Sequence, residues 1–451
     1  MFTFSSETGA GVALAVRMRP VGELRPYAGN ARTHSRRQVR QIADSITRFG
    51  FTNPVLTDDA GGIIAGHGRV AAAQLLGITE VPTIALSHLS PEERRAYVLA
   101  DNKLAENAGW DRETLAIELQ GLIDIGFDLE LTGFSLAEID FTLDAARERS
   151  SDGAGREDRL PAEVTGPAVT RPGDLWNLGG HRLVCGDARD AEAVDRVMAG
   201  EPADVIFADP PYNVPIDGHV SGLGRIRHRE FAFASGEMSA AAFIAFLEAS
   251  LGQAARVAKD GAIAFVCMDW RHMGELLAAG KKVFSALKNL CVWNKTNGGM
   301  GSFYRSKHEL VFVFKVGTAA HTNSFGLGET GRYRTNVWDY AGVNVPGRTA
   351  EEALAMHPTV KPVALIADAL RDCSRRGETV LDPFAGSGST LIAAESCGRR
   401  ARLVEYDPLY CDVILRRWQD WSGRPALRMA DGARFDVIAA GEPLGAGGVR
   451  G

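Results

Sequence analysis

Short, unbroken apolar runs alternate with longer stretches of helical period through the second half of the chain. ADVIFAD at 203–209 predicts a strand, 240–258 a helix, GAIAFVCM at 261–268 a strand and 273–284 a helix. LCVWNK at 290–295 and HELVFVFKV at 308–316 predict two further strands. After a polar, glycine-rich interval the order resumes: a helix over 362–375, a strand TVLDPF at 379–384, a helix over 389–397, a strand ARLVEYD at 401–407 and a helix over 410–421. Strands that are apolar on nearly every residue are buried on both faces, as parallel strands between two helical layers are. The alternation predicts an α/β fold. In the first half, Ile63–Ala65 runs through Gly66 into a helix, Val81–Ile84 follows as a strand, and Gln38–Phe49 has helical period. Residues 90–144 read as helical but acidic, with no recognisable helix-turn-helix.

Between the halves, the Gly-, Pro-, Ser- and Arg-rich stretch over 145–172 lacks periodicity and predicts a linker. The expected organisation is one unit over 14–144, the linker, a second unit over 173–437 and a tail over 438–451, without internal repeats.

Charge narrows the picture. Fifty Lys and Arg against 56 Asp and Glu give a net −6 over 451 residues, which excludes a polycation that binds nucleic acid by bulk charge. Basic residues are local: eight arginines lie between Arg17 and Arg48, and Arg225, Arg227 and Arg229 share one loop-like stretch. The six cysteines are never closer than the 14 residues separating Cys397 from Cys411, so zinc or redox CxxC spacing is absent and a reducing, cytoplasmic setting is expected. No run is long and apolar enough for a membrane span, and no metal is expected. His308 and His357 lack ligand spacing.

Two strand ends carry chemistry. VIFADPPY ends in Asp209-Pro210-Pro211-Tyr212, and VLDPFAGSG ends in Asp382-Pro383-Phe384-Ala385-Gly386-Ser387-Gly388. Asp209 and the Pro210 carbonyl can accept hydrogen bonds from an exocyclic amine, and Tyr212 can stack on its ring. The tetrapeptide alone also reads as a plain turn. Gly386 and Gly388 allow a tight turn and close backbone approach to a ligand at a helix start, but the loop lacks the Lys-Ser/Thr ending of a P-loop and the full dinucleotide fingerprint. Seventeen residues beyond Gly388, the next strand ends in Glu405-Tyr406-Asp407, where ribose hydroxyls are held in nucleotide-type sites.

These motifs resemble the S-adenosylmethionine-dependent amino-methyltransferases of DNA. The catalytic motif precedes the cofactor loop by about 170 residues, similar to the permuted beta group. The resemblance spans 173–437 and implies a Rossmann-like, mostly parallel seven-stranded sheet with target recognition within 214–356. It implies that Asp209, Pro210, Pro211 and Tyr212 are catalytic. Asp187, Thr359, Lys361, Asp382, Phe384, Ala385, Gly386, Ser387, Gly388, Glu405 and Asp407 are implied to bind the cofactor. Asp187 alternatively reads as a helix cap and Lys361 as a solvated helix-start lysine. Arg225, Arg227, Arg229, Lys295, Arg305 and Lys307 are candidate contacts to double-stranded DNA. No Pro-Cys nucleophile of the cytosine ring-carbon type is found, so nitrogen is the expected acceptor. Asp209 at the first motif position is commoner in adenine-modifying members, with the cytosine amino group or RNA as alternatives.

The first unit, over about 17–90, resembles the α+β N-terminal domain of ParB partition proteins. In that family the domain binds CTP, so CTP or another nucleotide is implied, with Arg32, Gly66, His67 and Arg69 as the phosphate site. Here Gly68 and Ala71 stand where the family's turn carries arginines. The combined expectation is a bacterial or phage DNA adenine methyltransferase with a ParB-like accessory domain. The alternative is a ParB-like DNA-binding protein with a non-catalytic methyltransferase half. A homodimer and a restriction endonuclease partner stay open.

Overall fold

The computed structural model describes residues 14–135, 138–143, 146, 157–158, 161, 166–214, 236–295, 303–324, 334–341 and 360–441. The chain forms two compact units, divided between Ser150 and Ser151.

In the first unit, β1 (Val16–Pro20), β2 (Val55–Thr57), β3 (Ile63–Ala65) and β4 (Glu80–Ala85) form a four-stranded sheet in the order β1-β4-β2-β3. The β2–β4 pair is parallel and the other two are antiparallel, giving the mixed α+β character expected. The helix Arg36–Phe49 starts where Ser35 accepts from the Gln38 amide at 3.1 Å, and the helix Pro91–Glu106 starts with a Ser90/Glu93 capping box. A separate small core joins Ala116 and Leu119 of the helix Arg112–Asp124 to Leu129, Ile139 and Leu143. Gly126 and Gly133 turn the chain between these pieces at φ +71° and +88°, and Ser135 and Glu138 cap the helical residues 138–143 reciprocally.

The second unit is built on one large sheet. Its strands are β5 (Leu175–Leu178), β6 (His181–Cys185), β7 (Ala203–Ala208), β8 (Ala258–Met268), β9 (Ala286–Asn294), β10 (His308–Lys315), β11 (Val337–Asp339), β12 (Thr379–Asp382), β13 (Arg400–Glu405) and β14 (Leu427–Arg428). Their order is β11-β9-β10-β8-β7-β12-β13-β6-β5-β14. The seven strands from β9 to β6 are the expected sheet. The run β8-β7-β12-β13-β6 is parallel throughout, and β10 is inserted antiparallel to both neighbours. The short strands β11, β5 and β14 extend its edges. Two apolar layers sandwich the sheet, one holding Phe207, Phe265, Val311 and the helix Val363–Cys373, the other Ile206, Val266, Phe312 and the helix Ala240–Arg256.

The expected linker is in part bound to this unit. The Val169 and Thr170 amides donate to the two oxygens of buried Asp412 at 2.7 and 3.0 Å, and Asp158 accepts from the Val363 amide at 2.9 Å. At the other end, the helix Phe435–Ala439 runs past the expected boundary at 437, and the expected tail beyond 441 lies outside the described residues. All six cysteines are free and buried, and among the described residues no helix is long and apolar enough to cross a membrane.

Candidate active site

The crevice of an open α/β sheet lies at the carboxyl ends of its strands where the winding direction reverses. Here that point is between β7 and β12, because the chain adds β8 on one side and β13 on the other. Both motifs leave the sheet there, Asp209 directly after β7 and Asp382 as the last residue of β12. A cavity of about 180 Å³ is lined by Asp209–Tyr212, Phe384–Ser387, Asp187, Lys361, Glu405 and Asp407.

The cofactor loop is held from below. Asp382 is buried and accepts from the Phe384 amide at 2.9 Å; burial pushes its carboxyl up to about 7. Gly386 has φ +51°, and the nearest atom to a side chain built there is 3.9 Å away, so the position is open towards the cavity. Gly388 has φ +82° and heads the helix Ser389–Ser396, with a would-be Cβ 3.2 Å from Ile414. Glu405 receives the Gly386 and Asp407 amides, both at 2.8 Å, on its two oxygens, and burial raises its carboxyl to about 7. Asp407 caps the helix Pro408–Ser422 by accepting from Leu409 at 2.9 Å.

Asp187 is held in place by Arg189, whose amide and guanidinium both donate to it, the shortest contact being 2.6 Å. It is not the helix cap that the sequence left open; Asp190 caps that helix. Arg417 is a support that sequence reasoning missed. Its guanidinium is buried, donates to the Ser387 carbonyl at 3.0 Å and to the Glu157 carbonyl at 2.8 Å, and is pushed down to about 10 by burial. A single arginine in an amphipathic helix gives no signal of this in sequence.

At the catalytic motif, the Tyr212 hydroxyl donates to Asp209 Oδ1 at 2.8 Å. Lys361 does not face the cofactor side alone: its ammonium donates to Asp209 Oδ2 at 2.7 Å and to the Tyr212 hydroxyl at 3.1 Å. It also pairs with Glu309 Oε2 at 2.9 Å. With a side chain only 4% exposed, Lys361 is no solvated helix-start lysine. Glu309 is paired in addition with Lys295, which lies 4.5 Å from the Trp293 ring centroid. Burial raises the Asp209 carboxyl, with Lys361 opposing and Glu309 adding to the rise. Burial also works to raise Glu309, but Lys361 and Lys295 outweigh it and hold that carboxyl at about 2. For Lys361 the two carboxylates outweigh desolvation, and the ammonium is held above its ordinary range.

Sequence reading placed Lys295 on DNA, whereas the structure ties it to Glu309. Arg305 and Lys307 are exposed just ahead of β10, at the sheet end that carries Asp209. Arg225, Arg227, Arg229 and Thr359 lie outside the described residues. Glu309 was missed although a signal existed: it is the one acid of its strand, directly ahead of the apolar run Leu310–Phe314 and at the alternation that shares a face with Val311.

In the first unit, Gly66 has φ +102° and heads the helix His67–Leu75. His67 Nε2 accepts from the Tyr27 amide at 3.2 Å, Arg69 donates to the Asn53 carbonyl at 2.9 Å, and Arg32 pairs with Glu106. Gly68 is buried, and a Cβ there would sit 3.0 Å from Ile42 and 3.1 Å from His34, so a larger residue in this turn would press on both side chains.

Comparison with known proteins follows the same division. A family model described as DNA methylase matches residues 203–416, and one described as ParB N-terminal domain matches 8–103. A third, the ParB-methyltransferase helix-turn-helix domain, matches 113–172, which corrects the sequence reading that found no such element. The chain is 56% identical over 82 residues to the ParB-like nuclease domain-containing protein YnaK of Escherichia coli (strain K12), covering 18% of this chain and 94% of that protein. It is 25% identical over 248 residues to the type II methyltransferase M.HinfI of Haemophilus influenzae, covering 51% and 67%. Among solved structures, the PvuII DNA methyltransferase (cytosine-N4-specific) is similar at 14% identity and a TM-score of 0.40, over 57% of this chain and 89% of that one.

Proposed function

We propose that this chain, which belongs to the DNA methylases of the N6/N4 family and carries a ParB N-terminal domain, transfers a methyl group from S-adenosylmethionine to the exocyclic amino group of adenine in DNA. The observation that carries this reading is the intact Asp209–Tyr212 motif facing the glycine loop across one cavity at the switch point of the sheet.

The residues present fit the cofactor: a side chain at Gly386 would fill open space at the cavity, and the Glu405 carboxylate stands where ribose hydroxyls can donate to it. When bound, S-adenosylmethionine supplies an electrophilic methyl group on a sulfonium. The protein's own part is to receive a base rotated out of the duplex and to hold its amino group. Asp209 and the Pro210 carbonyl accept the two amino hydrogens, which aims the nitrogen lone pair away from the carboxylate. Positive charge grows on that nitrogen as the new bond forms, and the fixed Asp209 carboxylate stabilises it. The excess proton then leaves the methylated nitrogen through Asp209, whose raised affinity for protons suits a temporary acceptor. Adenine is favoured over cytosine by Asp209 at the first motif position. Arg305, Lys307 and the first unit, with its helix-turn-helix, are assigned to DNA contact; Gly68 argues against a nucleotide-hydrolysing turn there.

The test is transfer of tritiated methyl to unmethylated genomic DNA, with separation of the digested nucleosides. Label in 6-methyladenine is expected. Label in 4-methylcytosine would overturn the choice of base and keep the chemistry; label in RNA alone would overturn the substrate.

A further inference from the structure

Lys361 has three ammonium protons and three acceptors at hydrogen-bonding distance: Asp209 Oδ2 at 2.7 Å, Glu309 Oε2 at 2.9 Å and the Tyr212 hydroxyl at 3.1 Å. Each of its donors therefore has a partner within this cluster. Tyr212 closes the ring, its hydroxyl 2.8 Å from Asp209 Oδ1 and 3.3 Å from Glu309 Oε2. With Lys295 on the far oxygen of Glu309, two cations face two carboxylates among the described residues, and their charges balance. Four separate pieces of chain build it: the end of β7, the end of β9, the start of β10 and the segment before the helix Val363–Cys373.

We propose that Lys361 and Glu309 are positioning residues for methyl transfer: Lys361 fixes the rotation of the Asp209 carboxylate, and Glu309 divides the lysine's charge so that Asp209 keeps acceptor capacity for the target amino group. The proposal rests on the reading of the site given above. Without Lys361, Asp209 would be a buried carboxylate beside a like charge. Without Glu309, the ammonium would belong to Asp209 alone and compete with the base for it. The division of one cation between two acids gives the carboxylate a fixed geometry without quenching it.

Among the described residues, the groups that face Asp209 are Lys361, Tyr212, Glu309 of β10, Cys267 of β8 and Asp382 of β12, with Lys295 behind Glu309. Transfer requires Asp209 ionised, so the acid limb of the kcat profile reports its titration. Lys361→Met removes an opposite charge, makes the carboxylate harder to form and moves that limb to higher pH. Glu309→Gln removes a like charge and moves it to lower pH.

The experiment measures kcat against pH for the wild type, Lys361→Met and Glu309→Gln, with cofactor Kd by calorimetry. Carboxyl-carbon NMR of the protein labelled at aspartate, with Asp209→Asn to assign the signal, reads the same titration without activity. Expected are limbs and carboxyl titrations displaced in opposite directions, a kcat loss on the order of 10²-fold in Lys361→Met, and cofactor Kd within about twofold of wild type. Displacements in the same direction, or none, overturn the proposal. So does a Lys361→Met protein whose cofactor Kd weakens while the Asp209 titration stays put, since the lysine would then serve the cofactor. Absence of transfer by the wild type defeats the reading of the site itself, and the NMR titrations still decide the role of the pair.

Discussion

Two glycines two residues apart in the cofactor loop are expected to fail differently when replaced by alanine. Both are in the left-handed region, at φ +51° for Gly386 and +82° for Gly388, which costs an alanine about 1–2 kcal/mol in each case. At Gly386 no atom of the described residues, its chain neighbours aside, lies closer than 3.9 Å to the new methyl, so the loss of stability ends there. At Gly388 the methyl meets Ile414 at 3.2 and 3.3 Å, and Ile414 is fully buried in the core and cannot step aside into solvent. Overpacking of that kind adds about 1–3 kcal/mol, for a total of about 2–5 kcal/mol. The Gly386→Ala methyl points into the cavity instead and is expected to weaken cofactor binding by more than tenfold. Urea denaturation of the ligand-free proteins, paired with calorimetric titration of S-adenosylmethionine, separates the two costs. Equal denaturation midpoints for the two variants, or wild-type cofactor affinity in Gly386→Ala, would refute the reasoning.

Replacing the other supports of the loop has its own signatures. Arg417→Met removes the buried donor from the Ser387 and Glu157 carbonyls, at about 1.5–3 kcal/mol for a charged hydrogen bond; lower stability together with weaker cofactor binding is expected by the same two assays, and unchanged affinity would count against a role in holding the loop. The Glu405 carboxyl, raised by burial from 4.5 to about 7, keeps a proton in the folded chain that the unfolded chain has lost. Its contribution makes the ligand-free protein less stable as pH rises from about 4.5 to 7, and Glu405→Gln should flatten that slope in part, Asp382 supplying the remainder. Identical slopes in urea midpoints at pH 5, 6 and 8 would contradict it.

The parts of the fold legible in sequence were those with a strong local signal. Continuous apolar runs marked β7, β8, β10, β12 and β13 because these strands are covered on both faces. The three short edge strands were missed: β11 and β14 are three and two residues long, too short to show a period, and their place is set by pairing with β9 and β5. The helix-turn-helix element was missed because its signals are sparse. Gly126, Gly133 and the Ser135/Glu138 cap are visible once the small core around Leu119 and Ile139 is known, but each alone reads as an ordinary turn or cap. In the site, Asp209, Asp382 and Glu405 were found because each ends a strand beside a turn motif. The side chains around them came from distant chain positions: Lys361 bonds Asp209 from 152 residues away, Glu309 bonds Tyr212 from 97 and Arg417 bonds Ser387 from 30, meetings that only the tertiary fold produces. Lys361 was legible beside the cofactor loop, whose cavity it lines, but its bonds to Asp209 and Tyr212 were not, because they join positions about 150 residues apart.

The most direct test of the central claim compares wild type with Asp209→Ala on unmethylated DNA, by mass spectrometry of the digested nucleosides alongside calorimetry of cofactor binding. The account expects methyl on an exocyclic amino nitrogen, that of adenine, in the wild type. It expects no product from Asp209→Ala, with cofactor affinity close to wild type. Methyl on a ring carbon, transfer that survives the loss of Asp209, or equal loss of transfer and cofactor binding would contradict it.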